Sequence, residues 1–297
     1  MRRHTILLAL LAASAARAGE NDLQLWRLGH PDCLRCNGTP GEVNDSDPLA
    51  QARFHRLAST LGLAFAPPFQ ETAGTLGQSG FEVGVSSSEA FLRISGDAWP
   101  TRAAAPPKVL TLPTVTLRKG LGASLELGAA VSWLADSQMM ALSAELRWAL
   151  LDGFATAPDL ALRVWGTRAL GTQELALAAV GVDAQLSKSF GAFGSVKLQP
   201  YLQGGVEMVN ALSSEVTFKP SAKNPQAAVG IFHSISLLDN RYLRAALGLR
   251  MVVGVVVLGV EGTLAQGTNA IESNAPPAAQ KNFIRLWSGA ARLGFSF

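Results

Sequence analysis

The chain has 297 residues, of which 48% are hydrophobic and only 16% are charged, against roughly 25% charged residues in an ordinary soluble protein. It contains 25 basic and 22 acidic side chains, but Arg2, Arg3 and Arg17 fall within the first 18 residues, so the remainder holds 22 of each. That balance argues against nucleic-acid binding, and we predict no nucleic-acid partner.

The first 18 residues have the pattern of a secretory signal peptide. Arg2 and Arg3 precede a short apolar run that starts at Ile6, and small residues then lead to an Ala-x-Ala site ending at Ala18. The apolar run is too short to span a bilayer as a helix. We therefore predict that residues 1–18 are removed on export.

Residues 19–79 are predicted to form a short, partly helical extension in the periplasm. A stretch rich in Gly, Pro, Asn and Asp leads to a helix-like segment, with Asp47 as N-cap and Pro48 at the first helical position. Pro67 and Pro68 end this segment. There are two alternatives for these residues. Either the residues are disordered, or they form a plug inside the barrel that is predicted below for residues 80–297.

The sequence CLRC contains the two cysteines, Cys33 and Cys36. An oxidising compartment permits disulfides, and we favour a local structural disulfide between them. A redox site would need a βαβ context, which is absent. Haem attachment would need a histidine where Asn37 stands, and a metal site would need two ligands besides His30. We predict no cofactor.

From about residue 80 the hydrophobic pattern changes to a period of two, which is typical of strands. Pro113 weakens the second run. The runs predict ten strands, at about 81–88, 108–118, 123–133, 140–150, 159–169, 174–188, 194–209, 241–252, 254–265 and 282–297. A twelve-strand alternative would use residues 228–237 in a further hairpin.

The connections between these strands fall into two sets. The first set lies at about 94–107, 135–138, 170–173, 210–240 and 266–281 and includes all the long connections. The second set, at 119–121, 152–158, 189–193 and 252–253, stays short. Outer-membrane barrels have long extracellular loops and short periplasmic turns. Residues 80–297 are therefore predicted to form an all-β, up-and-down antiparallel transmembrane barrel in the lipid of the bacterial outer membrane.

Charged side chains on the polar face of the strands are predicted to point into a narrow lumen and to pair there. An unpaired buried charge is expensive, and six acids balance six bases. The acids are Glu82, Glu126, Glu145, Asp183, Glu207 and Glu261, and the bases are Arg147, Arg163, Lys197, Arg244, Arg250 and Arg292. Leu125, Leu146, Leu247 and Phe295 should face lipid. A ten-strand barrel is only slightly wider than the filled eight-strand kind, so the lumen is predicted to be largely plugged.

The chain ends in SGAARLGFSF, with Leu293, Phe295 and Phe297 at alternate positions. This ending resembles the C-terminal signature of bacterial outer-membrane β-barrel proteins. The resemblance implies that the β-barrel assembly machinery reads these residues during biogenesis.

These features favour a non-enzymatic surface or structural protein that acts through its extracellular loops. A small channel, or a carrier for apolar ligands, is the alternative. A hydrolase or acyltransferase would need a histidine with hydroxyl or carboxylate partners at the outer rim, and His233, with Ser234, Ser236 and Asp239, is the candidate. One histidine among loop Ser and Asp residues is expected by chance, so we predict no catalytic residue. The sequence identifies neither the extracellular ligand nor the oligomeric state.

Overall fold

The computed structural model describes residues 19–29, 48–68, 70–94, 98–103, 106–154, 156–192, 194–217, 229–269 and 283–297. Ten long strands follow one another as antiparallel neighbours. They are β1 (Phe81–Phe91), β2 (Val109–Gly120), β3 (Leu125–Trp133), β4 (Met140–Leu151), β5 (Asp159–Leu170), β6 (Leu175–Ser187), β7 (Val196–Ser213), β8 (Asn240–Val253), β9 (Val256–Asn269) and β10 (Phe283–Ser296).

The sheet closes on itself because β1 also pairs with β10, from Glu82 opposite Ser296 to Phe91 opposite Trp287. At the end of this seam, Phe81 and Phe297 exchange backbone hydrogen bonds of 2.9 and 2.8 Å. Each of the ten wall strands thus has two partners, and the wall they form has no open edge. The predicted all-β, up-and-down barrel of ten strands is confirmed.

The twelve-strand alternative is wrong. Val216–Thr217 and Val229–Gly230 form a separate two-stranded sheet outside the barrel wall. Ile235 then makes an isolated bridge to Ala211, near the end of β7. The apolar residues that suggested another hairpin therefore fold over the end of β7 and do not join the wall.

Most strand boundaries differ from the prediction by one to four residues. β7 continues to Ser213, four residues beyond the predicted end at 209. The turn between β8 and β9 consists of Gly254 and Val255 and not of residues 252–253. Gly254 has φ +60, the left-handed conformation that a two-residue hairpin turn requires. A short strand, Phe190–Ala192, pairs with the beginning of β7.

The two ends of the barrel differ in their connections. The connections that follow β1, β3, β5, β7 and β9 share one end, called here the long-loop end. The turns that follow β2, β4, β6 and β8 share the opposite end, called the short-turn end. β1 begins at the short-turn end.

The N-terminal extension passes through the barrel. Residues 19–29 lie at the long-loop end, where the Gln24 N–H donates to the Pro100 carbonyl at 2.7 Å. A 3-10 helix (Leu25–Leu28) follows, and the helix α1 (Pro48–Phe65) runs inside the wall before β1 begins at the other end. Among the described residues, none of the helices has both the length and the apolar character needed to cross a membrane.

The prediction of a separate periplasmic extension is therefore wrong for its described part, and the plug alternative describes it. The physical reason lies in α1, which is buried on all sides from Leu57 to its end. A helix without a polar face needs apolar neighbours all round. The interior of the barrel supplies them.

Candidate functional site

The half of the lumen nearest the long-loop end is apolar, and α1 fills it. Phe54, Leu57 and Leu61 of α1 are completely buried there. Gly62 brings the helix close to the wall, because a Cβ at this position would lie 2.6 Å from a methyl group of Val209. The wall residues packed in this cluster include Leu110, Leu112, Trp165, Leu175, Leu177, Val209, Tyr242, Ile284 and Leu286.

The half of the lumen nearest the short-turn end is polar, and the structure brings eleven of the twelve predicted network residues into it or next to it. Ten of them are buried, namely Glu82, Glu126, Arg147, Arg163, Asp183, Glu207, Arg244, Arg250, Glu261 and Arg292. Glu145 is nearly buried, with 12% of its side chain exposed. Alternation along each strand accounts for this placement, since every second side chain points inward.

Ion pairs link these side chains across several strands. The Glu82 carboxylate lies 2.5 Å from Arg250 and 2.6 Å from Arg292. Glu145 similarly pairs with Arg118, at 2.8 Å, and with Arg163. Further pairs join Glu126 with Arg147, Asp183 with Arg163 and Glu207 with Arg244. Two acids thus each neutralise two arginines, which ties neighbouring parts of the wall together.

Glu71 of the N-terminal extension completes the network. Its carboxylate lies 2.5 Å from Arg118 and also pairs with Arg292, and the residue is 2% exposed. Each of these arginines also has an acid partner on the wall, Glu145 for Arg118 and Glu82 for Arg292. Glu71 therefore locks the extension to two separate strands of the barrel.

The backbone around Glu71 is held by the same wall. The Gln70 N–H donates to Glu261 at 2.5 Å, and Tyr201 donates its hydroxyl to the same carboxylate at 2.9 Å. Arg147 donates to the carbonyls of Thr72 and Gly74. Backbone groups cannot remain unpaired in a dry interior without a large cost, so these bonds make the segment a fitted part of the lumen.

Lys197 is the exception in the predicted network. It belongs to the inward-facing series of β7 but is exposed, because it is the second residue of that strand and lies at the short-turn rim. Water can solvate an ammonium group at this height. The prediction for Lys197 is therefore correct about the face of the strand on which it lies. It is wrong about the lumenal network, because the residue lies at the rim of the barrel.

Sequence reasoning missed Arg118 and Glu71. Arg118 belongs to the run that Pro113 interrupts, and the irregular alternation left the inward and outward faces of this run unassigned. Counting every second residue from Leu110 would have placed Arg118 on the inward face of β2. Glu71 precedes the period-two region, so no pattern in the sequence directs it to a particular arginine.

A polar cavity of about 190 Å³ remains in the lumen. The extension forms one side of it, from Glu71 to Leu76, and the wall forms the other. The wall residues are Arg147, Asp152, Asp159, Ser189, Gln199 and Arg250. The lining of the cavity carries both positive and negative side chains. Such a lining suits bound water better than the selective conduction of cations or anions.

The long-loop end of the lumen is covered by residues 19–29 and by the segment after Val229. Phe232 stacks on Phe54 of α1, with ring centroids 4.7 Å apart and the planes within 10°. Leu25 and Leu28 are completely buried in the same cluster. The mouth is thus closed by apolar packing above α1.

The structure does not assemble the candidate catalytic group at His233. His233 is exposed, and its backbone N–H and carbonyl are bound by the Gln51 side chain at 3.0 and 2.9 Å. Asp239 accepts from the Ser236 backbone at 2.9 Å, and the Ser236 hydroxyl caps the following 3-10 helix. Ser236 and Asp239, two of the three polar partners considered, are therefore used in a local turn.

The outer surface of the wall carries a belt of exposed apolar side chains. Leu146, Leu247 and Phe295 are 46%, 66% and 42% exposed, and Leu125 is half-buried on the same face. Large apolar side chains recur on the outer face of all ten strands. Such a surface is far larger than the isolated apolar patches of soluble monomers. Phe81, Phe190, Phe295 and Phe297 add exposed aromatic rings at the short-turn end.

Several predicted features lie outside the described residues. These are the signal peptide at 1–18, His30 and the proposed disulfide between Cys33 and Cys36.

No known protein family matches the sequence, and no curated protein matches it. The solved structures that are similar to this fold include two bacterial outer-membrane proteins and the translocator domain of an autotransporter. OprG from Pseudomonas aeruginosa has 12% identity and a TM-score of 0.30, over 76% of this chain and 99% of its own. The protease OmpT from Escherichia coli has 8% identity and a TM-score of 0.35, over 73% and 95%. The translocator domain of the autotransporter NalP from Neisseria meningitidis has 12% identity and a TM-score of 0.33, over 84% and 96%.

Proposed function

We propose that this chain is an integral barrel of the bacterial outer membrane, closed by its own N-terminal segment, and that it acts as a non-enzymatic surface or structural protein. The observation that carries the proposal is the pairing of Glu71 with Arg118 and Arg292 inside a wall whose outer face is apolar. A closed lumen leaves the long-loop end as the part that can meet partners.

The apolar belt supports a membrane location. Each of the ten strands pairs with both of its neighbours around the closed sheet, and a closed, paired sheet is the form in which strands can cross hydrocarbon. In the orientation that outer-membrane barrels adopt, the short-turn end faces the periplasm and the long-loop end faces the cell exterior. Residues 19–29 and 229–239 then lie at the cell surface.

The experiment that tests location and fold together is gel migration of the membrane fraction with and without heating. We expect the protein to require detergent for extraction and to migrate differently before heating, because a closed barrel resists unfolding in the gel. Extraction in buffer alone would overturn the membrane location. A tag inserted after Ser234, which is exposed, should react with antibody on intact cells.

The closed lumen also separates this proposal from the channel alternative. Purified protein in planar bilayers should carry no steady ion current, because α1 and the Glu71 segment occupy both halves of the lumen. Steady current from the full chain would favour transport instead.

We also infer that the last residues direct assembly. Leu293, Phe295 and Phe297 all point outward from β10, and Phe297 is 68% exposed. Phe297→Ala is expected to lower the amount of assembled barrel in cells several-fold while leaving refolding of the purified chain in detergent unchanged. The matched control is Phe283→Ala, an outward phenylalanine at the other end of β10, and an equal loss for both variants would contradict a C-terminal signal.

A further inference from the structure

On the outward face of β10, β1 and β2, the exposed side chains change from apolar to charged near the long-loop end. Trp287 of β10 lies opposite Phe91 of β1, and Phe91 lies opposite Val109 of β2. These three side chains are 47%, 48% and 37% exposed. They form a short aromatic and aliphatic band where the wall would leave the hydrocarbon.

Two arginines lie just beyond this band. Arg285 is the next outward residue of β10, and its guanidinium lies 5.3 Å from the centre of the Phe283 ring. Arg93 is the next outward residue after Phe91, because Leu92 and Ile94 on either side of it pack against the core. The paired register of β1 and β10 ends at Phe91 and Trp287, and extending it by two residues would bring Arg93 opposite Arg285. Neighbouring like charges on one face of a sheet repel, so an anion between them is favoured.

A carboxylate lies on the other side of the band, toward the middle of the barrel. Glu89 faces outward on β1 and accepts hydrogen bonds from the hydroxyls of Ser87 and Thr111, at 2.9 and 2.6 Å. An outward carboxylate in hydrocarbon is costly, which makes such residues functional candidates. A carboxylate can accept about four hydrogen bonds, so Glu89 has acceptor capacity left for an external donor.

The outer surface of the wall beside Glu89 carries small side chains. Gly289 lies directly opposite Glu89, and Gly262 of β9 lies opposite Gly289. Ala291 is the next outward residue of β10. Small side chains here, between the large ones of neighbouring positions, leave room for an acyl chain to lie against the backbone.

We propose that this face binds one phosphorylated glycolipid of the outer leaflet. Its phosphate lies between Arg93 and Arg285, an amide or hydroxyl of its sugar donates to Glu89, and an acyl chain lies over Gly289 and Gly262. Arg93 and Glu89 are four residues apart, about 13 Å along the strand, which suits a phosphorylated sugar better than a phosphate alone. The inference rests on the proposed outer-membrane location, because that location places this face in the outer leaflet.

The test is lipid retention by the refolded full chain in detergent, measured by native mass spectrometry with lipid A, dephosphorylated lipid A and phosphatidylglycerol as separate probes. We expect one lipid A molecule to remain bound to the unsubstituted protein, and Arg93→Gln with Arg285→Gln to weaken this binding about tenfold or more. Glu89→Gln should weaken lipid A and leave phosphatidylglycerol unchanged.

The matched control is Arg168→Gln with Arg241→Gln. These arginines are also outward and exposed near the long-loop end, on β5 and β8, and removing them changes the net charge equally. Equal weakening by both pairs, or equal binding of lipid A and phosphatidylglycerol, would overturn the site. A heat-modifiable, folded barrel that retains no lipid A rejects the lipid site alone, whereas a chain that does not enter membranes rejects the outer-membrane location as well.

Discussion

Deletion of residues 19–76 is expected to turn the closed barrel into a conducting one. The deletion removes α1 from the apolar half of the lumen and the Glu71 segment from the polar half. A helix with its side chains is about 10 Å across, so its removal leaves a path wide enough for water and small ions. Steady single-channel current in planar bilayers should appear in the deletion variant and be absent from the full chain.

The control is deletion of residues 19–29 alone, which removes part of the cover of the mouth and leaves α1 and Glu71 in the chain. We expect little or no steady current from it. Heat-modified gel migration first establishes that each variant has folded. A folded deletion variant without current would mean that the wall side chains close the lumen by themselves.

Glu82→Ala is expected to lower the free energy of unfolding by about 3–5 kcal/mol, the usual cost of breaking a buried ion pair from one side. Glu82 is completely buried and neutralises both Arg250 and Arg292. Removing it leaves Glu71 as the acid next to Arg292 and only the Gln199 amide oxygen, at 2.6 Å, next to Arg250. Urea titration of the barrel in lipid vesicles measures the loss.

Glu89→Ala is the matched control, since Glu89 lies on the same strand and faces outward. Its removal should cost much less, because no buried guanidinium loses a partner. The double variant Glu82→Ala with Arg250→Met should recover part of the stability, since it removes one of the two arginines that Glu82 neutralises. Equal losses for Glu82→Ala and Glu89→Ala would contradict a structural role for the lumenal network.

The barrel wall could be predicted because its side chains obey one simple rule. Successive residues of a strand point to opposite faces, so the inward position of Glu82 and the outward position of Leu146 both follow from their place in an alternating run. The same rule gives no height along the barrel axis. Lys197 shows this limit. The alternating pattern predicted its inward face correctly, but the residue lies at the rim and is therefore not part of the network.

The plug could not be predicted in the same way. The run from Leu57 to Ala66 is apolar or small on all sides of a helix, which indicates burial but does not identify the surface that buries it. Glu71 lies in a segment without a periodic hydrophobic pattern. Its two arginine partners belong to strands that are far apart in the sequence. Only the closed wall brings Arg118 and Arg292 to one point.

The path of the chain through its own barrel constrains its assembly. The polypeptide crosses the interior before it supplies any of the wall, and the seam between β1 and β10 shuts only when the final strand is in place. A helix already in position is enclosed as the wall shuts, whereas a helix that arrives later must enter through an end of the closed barrel. In the proposed orientation, the described chain therefore runs from the exterior side, at Gly19, through the lumen to the periplasmic side before β1 begins.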